Sequence, residues 1–206
     1  MGSIQIAKDV ITLTGSAAIV SEFFSYAANS ILYQRGIYPS DSFGATKKYG
    51  LTMLTTNDTK VKEYLTAITS QLAEWLEKGK LQRIVLVIMS NATSEVMERW
   101  NFTIHTDKDV VEKGGSREKS DKEIMREIQA IMRQITSSVT YLPCLDEPCT
   151  FDVLAYTDND LSVPFNWAES EARLINNPQV VKLHSFDTKI HKVDALVSYK
   201  QEDDDE

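Results

Sequence analysis

Ile31-Leu32-Tyr33-Gln34-Arg35-Gly36-Ile37-Tyr38-Pro39 closes an apolar helix, and the way it closes decides the fold. Upstream, Ile19, Val20, Phe23, Phe24, Ala27, Ile31 and Leu32 recur at helical spacings and lay one wide apolar stripe along a helix beginning near Gly15. Gly36 suits the left-handed residue that ends it, and Tyr38-Pro39-Ser40-Asp41 reads as a turn. The segments on either side of Tyr49-Gly50 read as a short hairpin. A second helix starts at Asn57 or Asp58, carries Val61, Tyr64, Leu65, Ile68, Leu72, Trp75 and Leu76, and stops at Gly79.

Residues 84–89 form a continuous apolar run, which predicts a strand covered on both faces. Its neighbour alternates: Val96, Trp100, Phe102 and Ile104 share one side, and Arg99, Asn101, Thr103 and His105 take the other, as in a half-exposed strand. The polar stretch 107–119, with Gly114-Gly115, is expected to be a mobile loop. Ser120-Asp121-Lys122-Glu123 is expected to make a capping box for a third helix buried through Ile124, Ile128, Ile131 and Ile135. Afterwards Phe151, Val153 and Ala155 alternate with Asp152, Leu154 and Tyr156, and residues 180–186 and 189–199 can each form a strand. A long polar connector with Pro164 and Pro178 precedes those last two. The pattern predicts an α+β fold with three helices on a mainly antiparallel sheet.

At 206 residues, with 42% hydrophobic and 25% charged content, the chain can bury one sizeable core. Of the net charge of −8, Glu202, Asp203, Asp204, Asp205 and Glu206 supply five negatives and leave an ordinary acidic surface. Basic residues are interleaved with acids, as in Arg117-Glu118-Lys119, so the phosphate-neutralising stripe of a nucleic-acid binder is missing. No stretch approaches the roughly 20 apolar residues of a membrane span, and residues 1–10 lack the pattern of a secretory signal. Ile6 stands where a myristoylation motif wants Ser or Thr. Cytosol or nucleus is therefore expected, where Cys144 and Cys149 stay free thiols and the sequons at Asn57, Asn91 and Asn101 carry no meaning.

His105, His184 and His191 fit no metal spacing, and neither a Gly-x-Ser-x-Gly elbow nor a phosphate loop is present. Gly15-Ser16 reads as a helix entry rather than a nucleophile; an enzyme would need a cleft holding His184 or His191 beside Ser185. Trp75 and Trp100 are assigned to packing, and Trp167, in the connector, is the better contact for a ligand. Arg133 and Gln134 lie off the isoleucine stripe of the third helix, where an ordinary solvated face is the commoner meaning.

Taken together, residues 31–39, residues 133–143, Tyr156-Thr157-Asp158-Asn159-Asp160-Leu161 with Val163-Pro164 and Trp167, and Ile190-His191-Lys192-Val193 resemble the HORMA-domain family, in its spindle-assembly-checkpoint branch, in one register from about Ile11 to Lys200. The resemblance implies a HORMA domain over residues 1–200, with a core at about 11–160 and a safety belt at about 161–200, followed by an acidic tail at 201–206. It implies an adaptor with no catalytic residue, metal or cofactor, which switches between two conformers. In the open one the belt strands lie on one sheet edge and hide the peptide site. In the closed one they move to the opposite edge and displace the N-terminal strand near Ile11, while a peptide pairs with strand 151–157 beneath the belt.

The peptide-binding residues so implied are Phe151, Val153, Ala155, Tyr156, Trp167, Val193, Val197 and Tyr199. Arg133, Gln134 and Tyr141 correspond to a dimerisation surface, with His184 standing where the family carries arginine, and Ser170 matches a position that can be phosphorylated. The implied partners are the kinetochore receptor mitotic arrest deficient one, the cell-division-cycle twenty activator of the anaphase-promoting complex, a second copy in the other conformer, and a HORMA-remodelling AAA+ ATPase with its adaptor. Nucleus, kinetochore and cytoplasm are the implied locations. A HORMA adaptor of another pathway, translesion polymerase or meiotic axis, is the alternative. Ordering some 40 belt residues costs on the order of tens of kcal/mol in either conformer at ~1–2 per residue, so those costs nearly cancel and small differences in pairing decide.

Overall fold

The computed structural model describes residues 9–201; the expectations for residues 1–8 and for the acidic tail at 202–206 lie outside the described residues. In chain order the elements are β1 (Val10–Thr12), α1 (Leu13–Gln34), β2 (Phe43–Lys48), β3 (Leu51–Thr56), α2 (Thr59–Glu77), β4 (Leu81–Ser90), β5 (Val96–Thr106), α3 (Lys108–Lys113), β6 (Ser116–Glu118), α4 (Asp121–Thr136), β7 (Cys149–Thr157), β8 (Gln179–Asp187) and β9 (His191–Tyr199). Five strands make one antiparallel sheet in the order β7-β4-β5-β9-β8. The pairs β2–β3 and β1–β6 form two small sheets of their own.

Local chemistry accounts for most of the boundaries. Thr12 Oγ1 accepts from the Gly15 N–H at 3.0 Å and starts α1, and the Asp58 carboxylate accepts from Lys60 and Val61 to start α2. Tyr49 and Gly50 both hold positive φ, 54° and 67°, as the two-residue turn of the β2–β3 hairpin demands. One apolar core joins α1, α2 and α4 to a single face of the large sheet: Phe23 and Phe24 meet Phe102 edge-on at 5.7 and 5.9 Å, and Phe23 meets Phe186 at 4.8 Å. The opposite face carries a smaller cluster, Val85, Val87 and Leu154, packed by Met89, Val96 and Tyr156.

The structure departs from three expectations of the sequence. The stretch 107–119 is ordered: Asp107 caps α3 through the Asp109 and Val110 N–H groups and pairs with Arg117, while β6 pairs with β1. Ser120 makes no side-chain cap on α4; its carbonyl accepts from Glu123, and the Asp9 carboxylate takes the Asp121 N–H at 3.3 Å instead. Val96 does not share a face with Trp100, because the β4–β5 register shifts between Ile88 and Met89 and turns Val96 to the smaller cluster.

Glu98, two residues before Trp100 and in unbroken register with it, lies on the inner side, wholly buried. Its Oε1 accepts from Arg35 Nε at 2.8 Å and its Oε2 from Trp100 Nε1 at 3.1 Å. Arg35 also donates to the Pro143 carbonyl. One ion pair thus ties the end of α1 to β5 and to the segment after α4.

Candidate functional site

Strand β9 pairs with β5 from Glu98 opposite Tyr199 to Thr106 opposite His191, and β8 closes the sheet outside it. At the far border β7 pairs only with β4, so its outer edge has no strand partner among the described residues. Such an edge presents unpaired N–H and C=O groups to any extended chain.

Residues 158–178 run past this edge without helix or strand. The segment leaves β7 where Asp158 N donates to the Lys80 carbonyl and Lys80 Nζ binds Asp160 at 2.9 Å. Trp167 then rests edge-on against Trp75 of α2, ring centres 4.8 Å apart. Arg173 reaches Asp152 of β7 at 3.2 Å, and the chain enters β8 at Gln179, opposite Tyr199 on the other side of the sheet. This strap carries Val163, Phe165 and Leu174 exposed, Phe165 completely so. An edge strand and a strap bearing free apolar side chains are what an extended apolar peptide needs.

Of the residues singled out from sequence, Phe151, Val153 and Ala155 share the helix-facing side of β7. Phe151 is half-buried between Tyr38 at 6.3 Å and Tyr64 at 5.7 Å. Tyr156 faces the other way, beneath the Arg83 guanidinium at 5.4 Å and bonded to Arg99. Trp167 belongs to the strap. Val193, Val197 and Tyr199 stand on β9, separated from β7 by β4 and β5. Val193 and Val197 are fully buried, so they seat the hairpin instead of lining the β7 edge.

Arg133, Gln134 and Tyr141 come together at the end of α4. Arg133 is exposed, the Gln134 carbonyl accepts from Tyr141 Oη at 2.6 Å, and Gln134 Oε1 accepts from the His184 N–H at 2.6 Å. The last bond falls where the β8–β9 register shifts between Lys182 and Ser185, so the amide side chain satisfies an N–H that the irregularity frees. Burial pushes the Tyr141 phenol up to about 12.

The turn of the β8–β9 hairpin is locked by groups that sequence reasoning did not pair. His191 Nε2 lies 3.2 Å from the Leu76 carbonyl, which can only accept, so Nε2 carries the proton and Nδ1 accepts from Ser16 Oγ at 2.7 Å. Ser16 also bonds Thr188 at 2.6 Å. Burial lowers the His191 pKa to about 4, against the opposing effect of the Leu76 carbonyl. Lys119 binds Glu127 at 2.7 Å and the Asp187 carbonyl, and Glu127 accepts from the Asp187 N–H. The Ser16–His191 pair is sealed from solvent, with both ring nitrogens engaged by Ser16 and the Leu76 carbonyl. Among the described residues, no His, Cys, Asp or Glu group is arranged to hold a metal, and no helix is long and apolar enough to cross a membrane.

The edge also holds residues that the sequence reading missed. Tyr64, placed on the buried side of α2, is exposed at 41% and donates to Asp152. Asp152 and Arg173 gave no signal beyond a polar residue in an alternating strand and a charge in a polar connector.

The family model described as HORMA domain matches residues 16–191. A Zea mays protein named mitotic spindle checkpoint protein MAD2 is 72% identical over 206 residues, covering 100% of this chain and 99% of its own length. A chain in the crystal structure of the mitotic checkpoint complex superposes with a TM-score of 0.82 at 44% identity, covering 91% of this chain and 99% of that one. The C. elegans protein HTP-2 bound to a HIM-3 closure motif shares the fold, with a TM-score of 0.74 at 15% identity and 92% of each chain covered.

Proposed function

The chain belongs to the HORMA domain family, in its mitotic spindle checkpoint branch, and from that premise we propose that it is an adaptor that traps an extended partner peptide between β7 and the strap at 158–178. One observation carries this reading: the unpaired β7 edge lies beneath a strap whose far end is anchored on the opposite border of the sheet. The captured peptide adds a sixth strand beside Phe151, Val153 and Ala155, with Trp167 and the exposed strap residues over it. Val193, Val197 and Tyr199 contribute by keeping the strap's anchor in place.

Seating of the hairpin on β5 corresponds to the closed conformer, and pairing of β1 with β6 outside the large sheet agrees with a displaced N-terminal strand. The open conformer would carry the hairpin on β7 and block the peptide site. The peptides are those of the kinetochore receptor mitotic arrest deficient one and of the cell-division-cycle twenty activator of the anaphase-promoting complex. Arg133, Gln134 and Tyr141 form the surface through which a second copy docks, and a HORMA-remodelling ATPase with its adaptor reopens the strap. The work is done at kinetochores, in nucleus and cytoplasm, by binding alone and without catalysis. The identity of 72% to a checkpoint protein, against 15% to a chain bound to a closure motif in another system, favours this reading over a meiotic-axis or translesion-polymerase adaptor.

The test uses a fluorescent peptide from the belt-binding segment of the kinetochore receptor. The wild-type chain should retain it through dilution, whereas Val197→Asp, which puts a charge where Val197 meets Trp100, should release it at least about tenfold faster. Equal retention by a Val197→Asp chain that still melts cooperatively overturns the strap mechanism. Retention of polymerase or meiotic peptides in its place would move the chain to the alternative pathway.

A further inference from the structure

Asp152 alternates with Val153 on β7, and its side chain belongs on the sheet face away from the helices. Its carboxylate nevertheless serves the strand border. Oδ1 accepts from the Val153 N–H at 2.9 Å and from Tyr64 Oη of α2 at 3.2 Å, and Oδ2 faces Arg173 of the strap at 3.2 Å. Asn91 donates to the Pro148 carbonyl, and alternation along the β7–β4 ladder from that pair turns the Val153 N–H outward. It is one of the groups that an added strand would use.

Arg173 is fixed from its own side as well. Its Nη1 lies 2.9 Å from Met89 Sδ, and its backbone holds a φ of 49°, a left-handed conformation that a residue with a side chain keeps only when its surroundings impose it. The two groups sit where the strap, the edge strand and Tyr64 of α2 meet. Both keep about a third of their surface in water, so the pair is weak enough to open and reform.

We propose that Asp152 and Arg173 form a latch that gates the peptide path: in the peptide-free closed conformer the Asp152 carboxylate substitutes for the missing strand at Val153 and ties the strap down through Arg173. Peptide entry takes over the Val153 N–H, turns the carboxylate away and frees the strap to reclose over the new strand. The reading rests on the peptide-capture function above and adds the residues that set its rate. Guarding an exposed edge with a charged side chain is a general device of sheets; here the guard is also the handle of the strap.

Hydrogen exchange on the peptide-free chain tests the latch without any ligand. Arg173→Gln and Asp152→Ala should each speed exchange across residues 161–178 about two- to fivefold, the range of an ion pair that water still reaches. The double variant should exchange no faster than the faster single variant, because one interaction has been removed twice. Arg173→Lys should stay within twofold of wild type. The Val153 amide should exchange faster in Asp152→Ala but not in Arg173→Gln, where Tyr64 still holds the carboxylate. Additive effects, or single variants that leave the strap unchanged, overturn the latch. Association of the fluorescent receptor peptide should also quicken two- to fivefold in both variants. A wild-type chain that binds no such peptide defeats the capture function, while the exchange results still decide the latch.

Discussion

His191 shows how a single side chain can couple the strap to solvent conditions. Its ring is held neutral at a pKa of about 4 by burial, against 6.5 in water, so the seated hairpin binds fewer protons than any state in which the ring is solvated. The stability this contributes is fully present above about pH 6.5 and is lost as pH falls toward 4. The loss is about 1 kcal/mol by pH 5.5 and about 3 kcal/mol at pH 4. Denaturant midpoints measured at pH 7.5 and 5.5 should therefore separate, and His191→Asn should narrow the gap; an unchanged gap in the variant sinks the assignment. Glu98 is the other isolated charge decision. Arg35→Met leaves a buried carboxylate without its cation, and chemical denaturation should show a loss of about 3–5 kcal/mol. A loss under 1 kcal/mol would mean that Glu98 is not held as a buried, cation-dependent carboxylate. Neither group could be read from the chain, because periodicity reports which face a residue takes but not what meets it there. Glu98 finds its partner 63 positions away and His191 finds Ser16 175 positions away.

Elements whose signals are local were legible. The stripe from Val20 to Leu32, the Tyr49-Gly50 turn, the Asp58 cap and the isoleucine row of α4 each depend on residues within a few positions of one another, and each folds as its spacing says. Where a neighbour from elsewhere competes, local reading failed: Asp9 displaced Ser120 at the start of α4, and Arg117 folded the 107–119 stretch back onto Asp107. The α4 surface combines both cases. Arg133 lies off the buried stripe, as its spacing said, but Gln134 is spent on the bulge of β8, which no local pattern announces. Substitution there should divide accordingly. Arg133→Glu should weaken self-association in sedimentation while leaving peptide affinity within about twofold, since it touches neither the β7 edge nor the hairpin. Gln134→Ala should also destabilise the seated hairpin by about 1 kcal/mol, the cost of orphaning the His184 N–H. Indistinguishable melting curves for the two variants would show that Gln134 does not read the position of β8.

At the scale of the whole molecule, the proposed capture at one sheet border and the anchoring at the other would be a single equilibrium. In the proposed mechanism a peptide on β7 leaves only when the strap opens, and the strap opens fully only when β9 leaves β5 and exposes Val193, Val197 and Phe186 together. Ligand bound to the seated state and not to the unseated one stabilises seating by RT ln(1 + [L]/Kd), about 2.7 kcal/mol when peptide is present at 100 times its Kd. That energy corresponds to about a hundredfold slowing of every amide whose exchange requires the hairpin to detach. The β9 amides, with three strands between them and the bound peptide, should therefore slow by about that factor and in parallel, whereas amides of the β2–β3 hairpin, which need no such opening, should not change. If peptide protected only β7 and the strap, the anchor would be opening independently of the ligand, and the two borders would not be thermodynamically joined. If β9 slowed with peptide in wild type but not in Val197→Asp, the seat on Trp100 would be the element through which occupancy at one border is felt at the other.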